Sequence, residues 1–156
     1  MTVAADAAQQ SERLREMVER VVSALDLEAQ VDVRDDGETL TATVSGDDLG
    51  LFIGRHGETI DAIQHLALRV AGGQGDDRRR VVVDASGYRE RRARALCQEA
   101  DRAADQALRF GRPIALDAMS SIERRVVHEH LRDYPGVDTY SEGDEPARHL
   151  VVAPAT

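Results

Sequence analysis

The sequence predicts an α+β protein built from two modules. Two neighbouring stretches alternate apolar and polar residues around a turn signal, which is typical of a β-hairpin. Elsewhere apolar residues recur every three or four positions, which is typical of amphipathic helices. The stretch Asp84–Gly87 contains Ser and Gly and marks a boundary, and 156 residues are enough for two small domains.

The first module begins with a tail and one helix. Residues 1–10 are rich in Ala and Gln and are expected to be a disordered tail. Ser11 is expected to cap a helix that runs to about Leu25. The apolar positions that indicate this helix are Leu14, Val18, Val21, Val22 and Leu25.

A hairpin, a glycine loop and a third strand follow. Gly37 can supply the positive φ of a hairpin turn, and the apolar run Val81–Val83 predicts a strand buried on both faces. The expected elements are strands at Ala29–Arg34 and Thr39–Ser45, a helical turn at Leu49–Ile53, a helix at about Glu58–Val70 and a strand at Arg79–Asp84.

The second module contains one long helix and several short elements. Ser86 is the expected N-cap of the long helix Tyr88–Phe110, which Gly111 and Pro113 end. Ser120 with Glu123 fits a reciprocal capping box. The remaining elements are an extended segment at Ile114–Leu116, a helix at Ser120–Arg132, and strands at Val137–Tyr140 and His149–Val152.

Composition excludes several classes of protein. The net charge of −9 argues against a generic polyanion binder, yet residues 78–112 hold ten arginines against five acidic residues. Cys97, the single cysteine, is expected in the core. No signal peptide or membrane span is visible, so we expect a cytoplasmic protein. No nucleotide-binding or hydrolase motif occurs, so no enzyme is expected.

The segment Gly54–Gly57, Gly-Arg-His-Gly, lies between a short helical turn and an amphipathic helix. Glycines permit a tight turn and the close approach of a sugar-phosphate backbone. The following helix offers amide groups and the positive end of its dipole to a phosphate. Arg55 adds charge, and His56 adds a donor. A G-x-x-G pattern alone is weak, since an ordinary helix–helix turn has the same residues.

In context, this segment resembles the signature loop of a KH domain. Residues 11–85 have the αββααβ order of the type II, bacterial form. The resemblance implies that the loop clamps about four nucleotides of a single strand. It further implies that Gly54, Arg55, His56 and Gly57 contact the backbone and that Ile60, Ile63 or Gln64 lines the groove for the bases.

Arginines cluster at the start of the long helix. Arg89 and Arg92 are three residues apart and share a helix face. One interpretation is a phosphate-binding stripe that continues from the glycine loop. The alternative is a solvated helix face whose arginines pair with nearby acidic residues.

The helix at Ser120–Arg132 carries Arg124 and His128 four residues apart. We expect both to point outward and His130 to point into the core. His128 and His130 are two residues apart and face different directions, so a zinc site is not expected. The sequence predicts no metal or cofactor.

The segments at 114–128 and 139–148 closely resemble the C-terminal domain of the bacterial Jag family (SpoIIIJ-associated, KhpB- or EloR-like proteins). That domain is named R-3-H for an Arg and a His separated by three residues, here Arg124 and His128. The resemblance assigns residues 86–154 to a domain that binds single-stranded nucleic acid. It adds Tyr140, Ser141, Gly143 and Arg148 to the surface. It also implies a role in envelope growth or division and a small single-KH protein as partner.

These observations favour a non-enzymatic protein that binds single-stranded RNA, with single-stranded DNA left open. The alternative is a protein-interaction adaptor with weakened nucleic-acid surfaces, which the acidic net charge and His56 favour.

Overall fold

Each half of the chain contains a three-stranded sheet. The chain divides into one unit that ends at Arg89 and a second that begins at Glu90. The computed structural model describes the backbone of residues 2–156 and the side chains of residues 4–76 and 78–156. Both units contain helices and strands, which confirms the predicted α+β class.

The first unit has the predicted αββααβ order. In its sheet, β2 lies in the centre, antiparallel to β1 and parallel to β3. The elements are α1 (Thr2–Ala24), β1 (Ala29–Asp35), β2 (Thr39–Gly46), α2 (Gly50–Ile53), α3 (Glu58–Ala71) and β3 (Arg80–Ala85).

The core of this unit lies between the sheet and the helices α1 and α3. Its fully buried members include Leu14, Val18, Leu40, Val44, Phe52, Ile60 and Val83. Burial alternates along β3, where Val82 is only half-buried. The prediction that this strand is buried on both faces is therefore wrong, because β3 is an edge strand of a sheet covered on one side.

The predicted disordered tail is wrong for the described residues. Helix α1 already begins at Thr2, so Ser11 lies inside the helix and is not its cap. Gln10 is buried, which ties this part of the helix to the unit. The stretch at 4–8 contains four alanines, and alanine has the highest intrinsic helix propensity. Met1 lies outside the described residues.

An ion pair joins the β1–β2 hairpin to the residues before β3. Asp35 accepts hydrogen bonds from both terminal nitrogens of Arg79 and one from the backbone N–H of Gly37 at 2.9 Å. The Arg79 guanidinium, followed by the Gly37 amide, lowers the pKa of Asp35 to about 2. The carboxylate is thus favoured over the acid in the folded state.

We expect acid to remove this stabilisation in a narrow pH window. The pKa of Asp35 is lower in the folded chain than its ordinary value of 3.8. The contribution of its carboxylate to the free energy of unfolding is therefore complete above pH 3.8 and is lost as the pH falls through about 2. Asp35→Asn should flatten the stability loss in this window, as measured by urea unfolding at stepped pH. Asp32→Asn, in an exposed pair with Arg34, is the control. An equally steep loss in Asp35→Asn would contradict the prediction.

The second unit packs a helix-rich layer against an antiparallel sheet of order β4-β6-β5. Its elements are α4 (Tyr88–Phe110), β4 (Ile114–Ala118), α5 (Ser121–Leu131), β5 (Val137–Glu142) and β6 (His149–Pro154). Buried alanines along α4 allow a close approach to the core, whose larger members include Leu96, Val127, Leu131, Leu150 and Val152. In the described part of the chain, no helix is both long and apolar enough to cross a membrane.

Candidate nucleic-acid interface

The loop between α2 and α3 begins with a backbone conformation that requires glycine. Gly54 has φ 74° and ψ 176°, a region that other residues essentially avoid. A Cβ atom there would collide with the Thr59 side chain and lie 2.8 Å from the Thr59 backbone nitrogen. Gly54 therefore brings the loop backbone close against the start of α3.

The middle of the loop exposes Arg55 and His56, and His56 has a left-handed φ of 54°. Gly57 is buried with φ 79°, and a Cβ on it would lie 2.7 Å from the Tyr88 hydroxyl oxygen. Tyr88 thus supports the loop from behind. No local pattern in the sequence signals this contact, because Tyr88 belongs to a different element far along the chain.

A single turn of 3-10 helix, Arg55–Gly57, leads directly into α3. Gly57 is the N-cap of α3, and it has no side chain with which to accept from the first amides. The Glu58 backbone N–H donates to the Arg55 carbonyl, so what the start of α3 can offer an anion beside Arg55 is mainly the positive end of its dipole. A phosphate contact at this loop stays a prediction.

The residues predicted to line the groove were expected to face solvent, but they face the interior. Ile63 is 5% exposed. Ile60 has no exposed surface and belongs to the core. The Gln64 side-chain oxygen accepts from the Val83 backbone N–H at 3.1 Å and from Arg89 at 2.9 Å. Helix periodicity alone could not separate these inward positions from groove positions.

Arg89 is bound within the first unit rather than held out towards a phosphate. Its guanidinium donates to the Val83 carbonyl at 2.9 Å and to Asp61 at 3.0 Å, in addition to Gln64. The Asp84 carboxylate caps this end of α4 by accepting the Arg89 backbone N–H at 3.2 Å. Ser86 was predicted as the N-cap of α4, but it has a left-handed φ of 47° and lies two residues before the helix begins at Tyr88. The arrangement argues against Arg89 as part of a phosphate stripe.

Arg92 is likewise engaged inside the second unit. Its Nε donates to Glu123 at 2.7 Å, and both side chains are largely buried. The Ser120 hydroxyl accepts the Glu123 backbone N–H at 3.2 Å, which confirms the predicted cap of α5. The reciprocal hydrogen bond of the predicted capping box, from the Ser120 backbone N–H to the Glu123 side chain, is wrong. The Glu123 side chain accepts from Arg92 instead.

The predicted orientation of α5 is wrong for Arg124 and His130, whereas His128 is exposed as predicted. Arg124 is 9% exposed, whereas Ile122 is 62% exposed. Arg124 donates to the Met119 carbonyl at 2.7 Å and pairs with Glu145 at 2.9 Å. His130 lies on the exposed side and contacts Asp101 at 2.8 Å. The buried stripe of α5 contains Arg124, Val127 and Leu131, because a buried guanidinium can replace an apolar residue where carbonyl and carboxylate partners satisfy it.

Five of the six residues predicted for the R-3-H surface line one depression of about 360 Å³, and Gly143 does not: they are Arg124, His128, Tyr140, Ser141 and Arg148. Arg124 is 9% exposed, His128 contacts the Thr139 hydroxyl, and Tyr140 is 47% exposed. Arg148 donates to the Gly143 carbonyl at 2.7 Å. The depression therefore combines an aromatic ring, an imidazole and a cation, which suits a nucleotide. Sequence reasoning missed Glu145, the partner of Arg124.

Groups suited to catalysis or metal binding are sparse. Cys97 is half-buried, and burial, with the nearby charge of Asp101, raises the pKa of its thiol. The thiolate that a nucleophile requires is thereby disfavoured. Among the residues that the structure describes, no three His, Cys, Asp or Glu side chains gather in a way that could hold a metal ion.

Two family models match the chain. Residues 11–83 match the KH domain of KhpA/KhpB, and residues 94–154 match the R-3-H domain. The fold and the two sites thus define a protein that combines a KH domain with an R-3-H domain. The chain belongs to the bacterial Jag family, the family of the KhpB proteins. This confirms the resemblance inferred from the glycine loop and the Arg-His pair.

Similar curated proteins cover most of the chain. It is 33% identical over 140 residues to "RNA-binding protein KhpB" of Clostridium symbiosum, covering 88% of this chain and 63% of that protein. It is 38% identical over 133 residues to the protein of the same name from Lactiplantibacillus plantarum, covering 85% of this chain and 41% of that protein. It is 31% identical over 138 residues to the protein of the same name from Bacillus subtilis, covering 87% of this chain and 66% of that protein. The chain therefore spans between about two fifths and two thirds of these relatives.

Proposed function

We propose that the chain binds single-stranded RNA without catalysing a reaction. The observation that carries the proposal is the Gly54–Gly57 loop, whose glycines allow a close backbone approach while Arg55 and His56 remain exposed. A single strand fits this arrangement because its sugar-phosphate backbone can follow the loop while its bases remain available. The relatives named RNA-binding proteins favour RNA over DNA.

The depression of the second unit would supply further contacts. A base can stack on the exposed ring of Tyr140, and Arg148 can approach a phosphate. His128 can donate to either group. We propose that residues 11–85 and 86–154 act as two nucleic-acid-binding modules. We further propose that the chain, by binding RNA, regulates envelope growth or division after transcription. Crosslinking followed by sequencing of the bound RNA tests this role, and targets unrelated to the envelope would refute it.

Reversing the charge of the loop should weaken RNA binding by at least tenfold. Wild-type affinity for a short single-stranded RNA should fall with salt at a log–log slope of about −3.5 to −4.2 if about five or six groups contact phosphates. Arg55→Asp with His56→Asp should lower the affinity and make the slope shallower, because it removes two of these contacts. Filter binding over a salt series measures both quantities. The variant should stay folded, since both side chains are exposed.

The matched control is Arg34→Asp with His65→Asp, which makes the same replacements at exposed positions outside the loop. Equal loss of affinity in the control would mean that net charge, and not the loop, governs binding. A wild-type chain that fails to bind at micromolar concentration, or binds with no salt response, would refute the RNA-binding proposal.

One observation favours protein pairing as a second function. Leu66 and Val70 lie one turn apart on α3 and are 55% and 44% exposed. They form an outward apolar stripe on the helix that follows the glycine loop. We propose that this stripe pairs with a small single-KH protein. An adaptor without RNA affinity would retain such pairing while failing the filter-binding assay.

A further inference from the structure

An exposed aromatic ring lies at the C-terminal end of α4, apart from the residues that line the depression. Phe110 is the last residue of α4 and is 56% exposed. The guanidinium carbons of Arg109 and Arg112 lie 5.6 Å and 5.8 Å from the centre of its ring. Both distances are within the range of cation–π attraction. One short turn thus presents a flat apolar face together with two cations.

Neither cation has a carboxylate partner among the described residues. By contrast, Arg92, Arg124 and Arg125 in the same unit each pair with a glutamate. The segment 106–116 contains no acidic residue. The two guanidinium groups are therefore available to an external anion, with no internal carboxylate to displace.

Helix chemistry alone explains only part of this arrangement. Cations are favoured near the C-terminus of a helix because of its dipole, so Arg109 and Arg112 have a structural reason to be there. The dipole gives no reason for an exposed phenyl ring between them. Gly111 follows with φ 62° and open space around it, so a ligand can approach the ring without meeting neighbouring atoms at this residue.

We propose that Phe110, Arg109 and Arg112 form an additional contact site for single-stranded RNA. A base stacks on the ring or on a guanidinium that covers it, and the guanidinium groups bind the flanking phosphates. The site would be tolerant of sequence, because every base has a π-face. This inference rests on the proposed RNA binding of the whole chain and lengthens the strand that the second unit can hold.

An anionic lipid surface is the competing ligand for a ring flanked by two cations. One ring and two arginines provide too little apolar area and charge for stable membrane attachment. Stacking on a nucleotide needs only this small area. The chemistry therefore favours RNA, and vesicle binding serves as an outcome of the test.

The ring is tested in the full chain with a single-stranded RNA that carries 2-aminopurine at successive positions. Phe110→Leu keeps an apolar side chain but removes the π-face, whereas Phe110→Tyr keeps the ring. We expect Phe110→Leu to weaken binding about tenfold and to relieve fluorescence quenching at one position of the probe. Phe110→Tyr should retain both signals. Equal affinity and quenching in Phe110→Leu would overturn the proposal.

The cations are tested by Arg109→Ala with Arg112→Ala. Loss of two phosphate contacts should reduce the magnitude of the log–log salt slope by about 1.4. The control is Arg102→Ala with Arg132→Ala, which removes the same charge from exposed positions of the same unit. A slope that changes equally in both double variants would overturn the assignment.

The outcomes separate this inference from the function on which it rests. If the wild-type chain binds no RNA, both fall. If it binds RNA and requires Arg55 and His56 but ignores Phe110, only the additional site falls. Cosedimentation with vesicles of phosphatidylglycerol and phosphatidylcholine that is lost in Phe110→Leu, with RNA affinity unchanged, would reassign the turn to a lipid surface and overturn the proposal.

Discussion

Replacing Gly54 with alanine is expected to destabilise the first unit by about 3 kcal/mol, because two costs add. The first cost is backbone strain, since φ 74° with ψ 176° is essentially restricted to glycine. The second is a collision of the new Cβ with Thr59, whose backbone nitrogen would lie 2.8 Å away. The backbone at Thr59 cannot retreat easily, because it belongs to the first turn of α3.

Gly75→Ala is the matched control. Gly75 also has a positive φ, at 61°, but a Cβ there would meet nothing within 4 Å. Its replacement should therefore cost only the strain of a left-handed residue, about 1 kcal/mol. Urea unfolding measures both losses, and amide hydrogen exchange assigns them to the first unit. A loss in Gly54→Ala no larger than in Gly75→Ala would show that the loop relaxes around the methyl group.

The consequence for RNA binding follows from the same geometry. If Gly54→Ala relaxes by moving the loop, Arg55 and His56 move with it and the phosphate contact changes. A variant that remains folded should therefore bind RNA more weakly than Gly75→Ala. We expect loop shape and RNA affinity to be coupled, because the residues proposed to contact RNA are held by the glycines on either side of them.

Elements with local signals could be predicted from the sequence. The bounds of α4 agree with the prediction at both ends, Tyr88 and Phe110. The C-terminal end was predictable because Gly111 and Pro113 stop a helix through backbone chemistry alone. The hairpin strands follow from strict alternation around Gly37. The glycine loop is predictable because its two glycines mark a tight turn, although the contact of Gly57 with Tyr88 is not.

Features that depend on distant partners could not be predicted. The apolar residues of α5 occupy too wide an arc to identify the buried stripe, so the sequence-based prediction puts Arg124 outside and His130 inside. The buried position of Arg124 depends on Glu145, which lies in the β5–β6 connection. The inward positions of Gln64 and Arg89 depend similarly on Val83 and Asp61. Such pairings are set by tertiary structure, and no local pattern encodes them.

Arg124→Ala is expected to destabilise the second unit by about 3 kcal/mol. The replacement leaves the Met119 carbonyl without its donor at 2.7 Å and breaks the pair with Glu145. Hydrogen bonds to charged groups typically contribute about 1.5–3 kcal/mol, and truncation of a buried side chain adds a packing loss. Urea unfolding with amide exchange resolved between the two units measures the effect. A loss below about 1 kcal/mol would contradict a structural role for this buried cation.

The same residue should influence RNA binding through position rather than contact. Its guanidinium is satisfied by Met119 and Glu145, so Arg124 holds the β5–β6 connection in place between Tyr140 and Arg148. Arg124→Ala should therefore lower RNA affinity while leaving the salt slope unchanged. Arg124→Lys, which keeps the charge but cannot donate to both partners in a fixed fork, should fail to restore affinity. Recovery in the lysine variant would instead indicate a phosphate contact.

Glu145→Gln separates the two roles by the sign of its effect. If Arg124 contacted phosphate, removing a neighbouring carboxylate would strengthen RNA binding, because one negative charge near the strand disappears. If Arg124 acts by holding the β5–β6 connection, the loss of its ion pair loosens Tyr140 and Arg148, and RNA binding weakens. We expect weakening, measured by filter binding at fixed salt against Glu142→Gln, an exposed acid of the same region. Stronger binding in Glu145→Gln would return Arg124 to the set of residues that touch RNA.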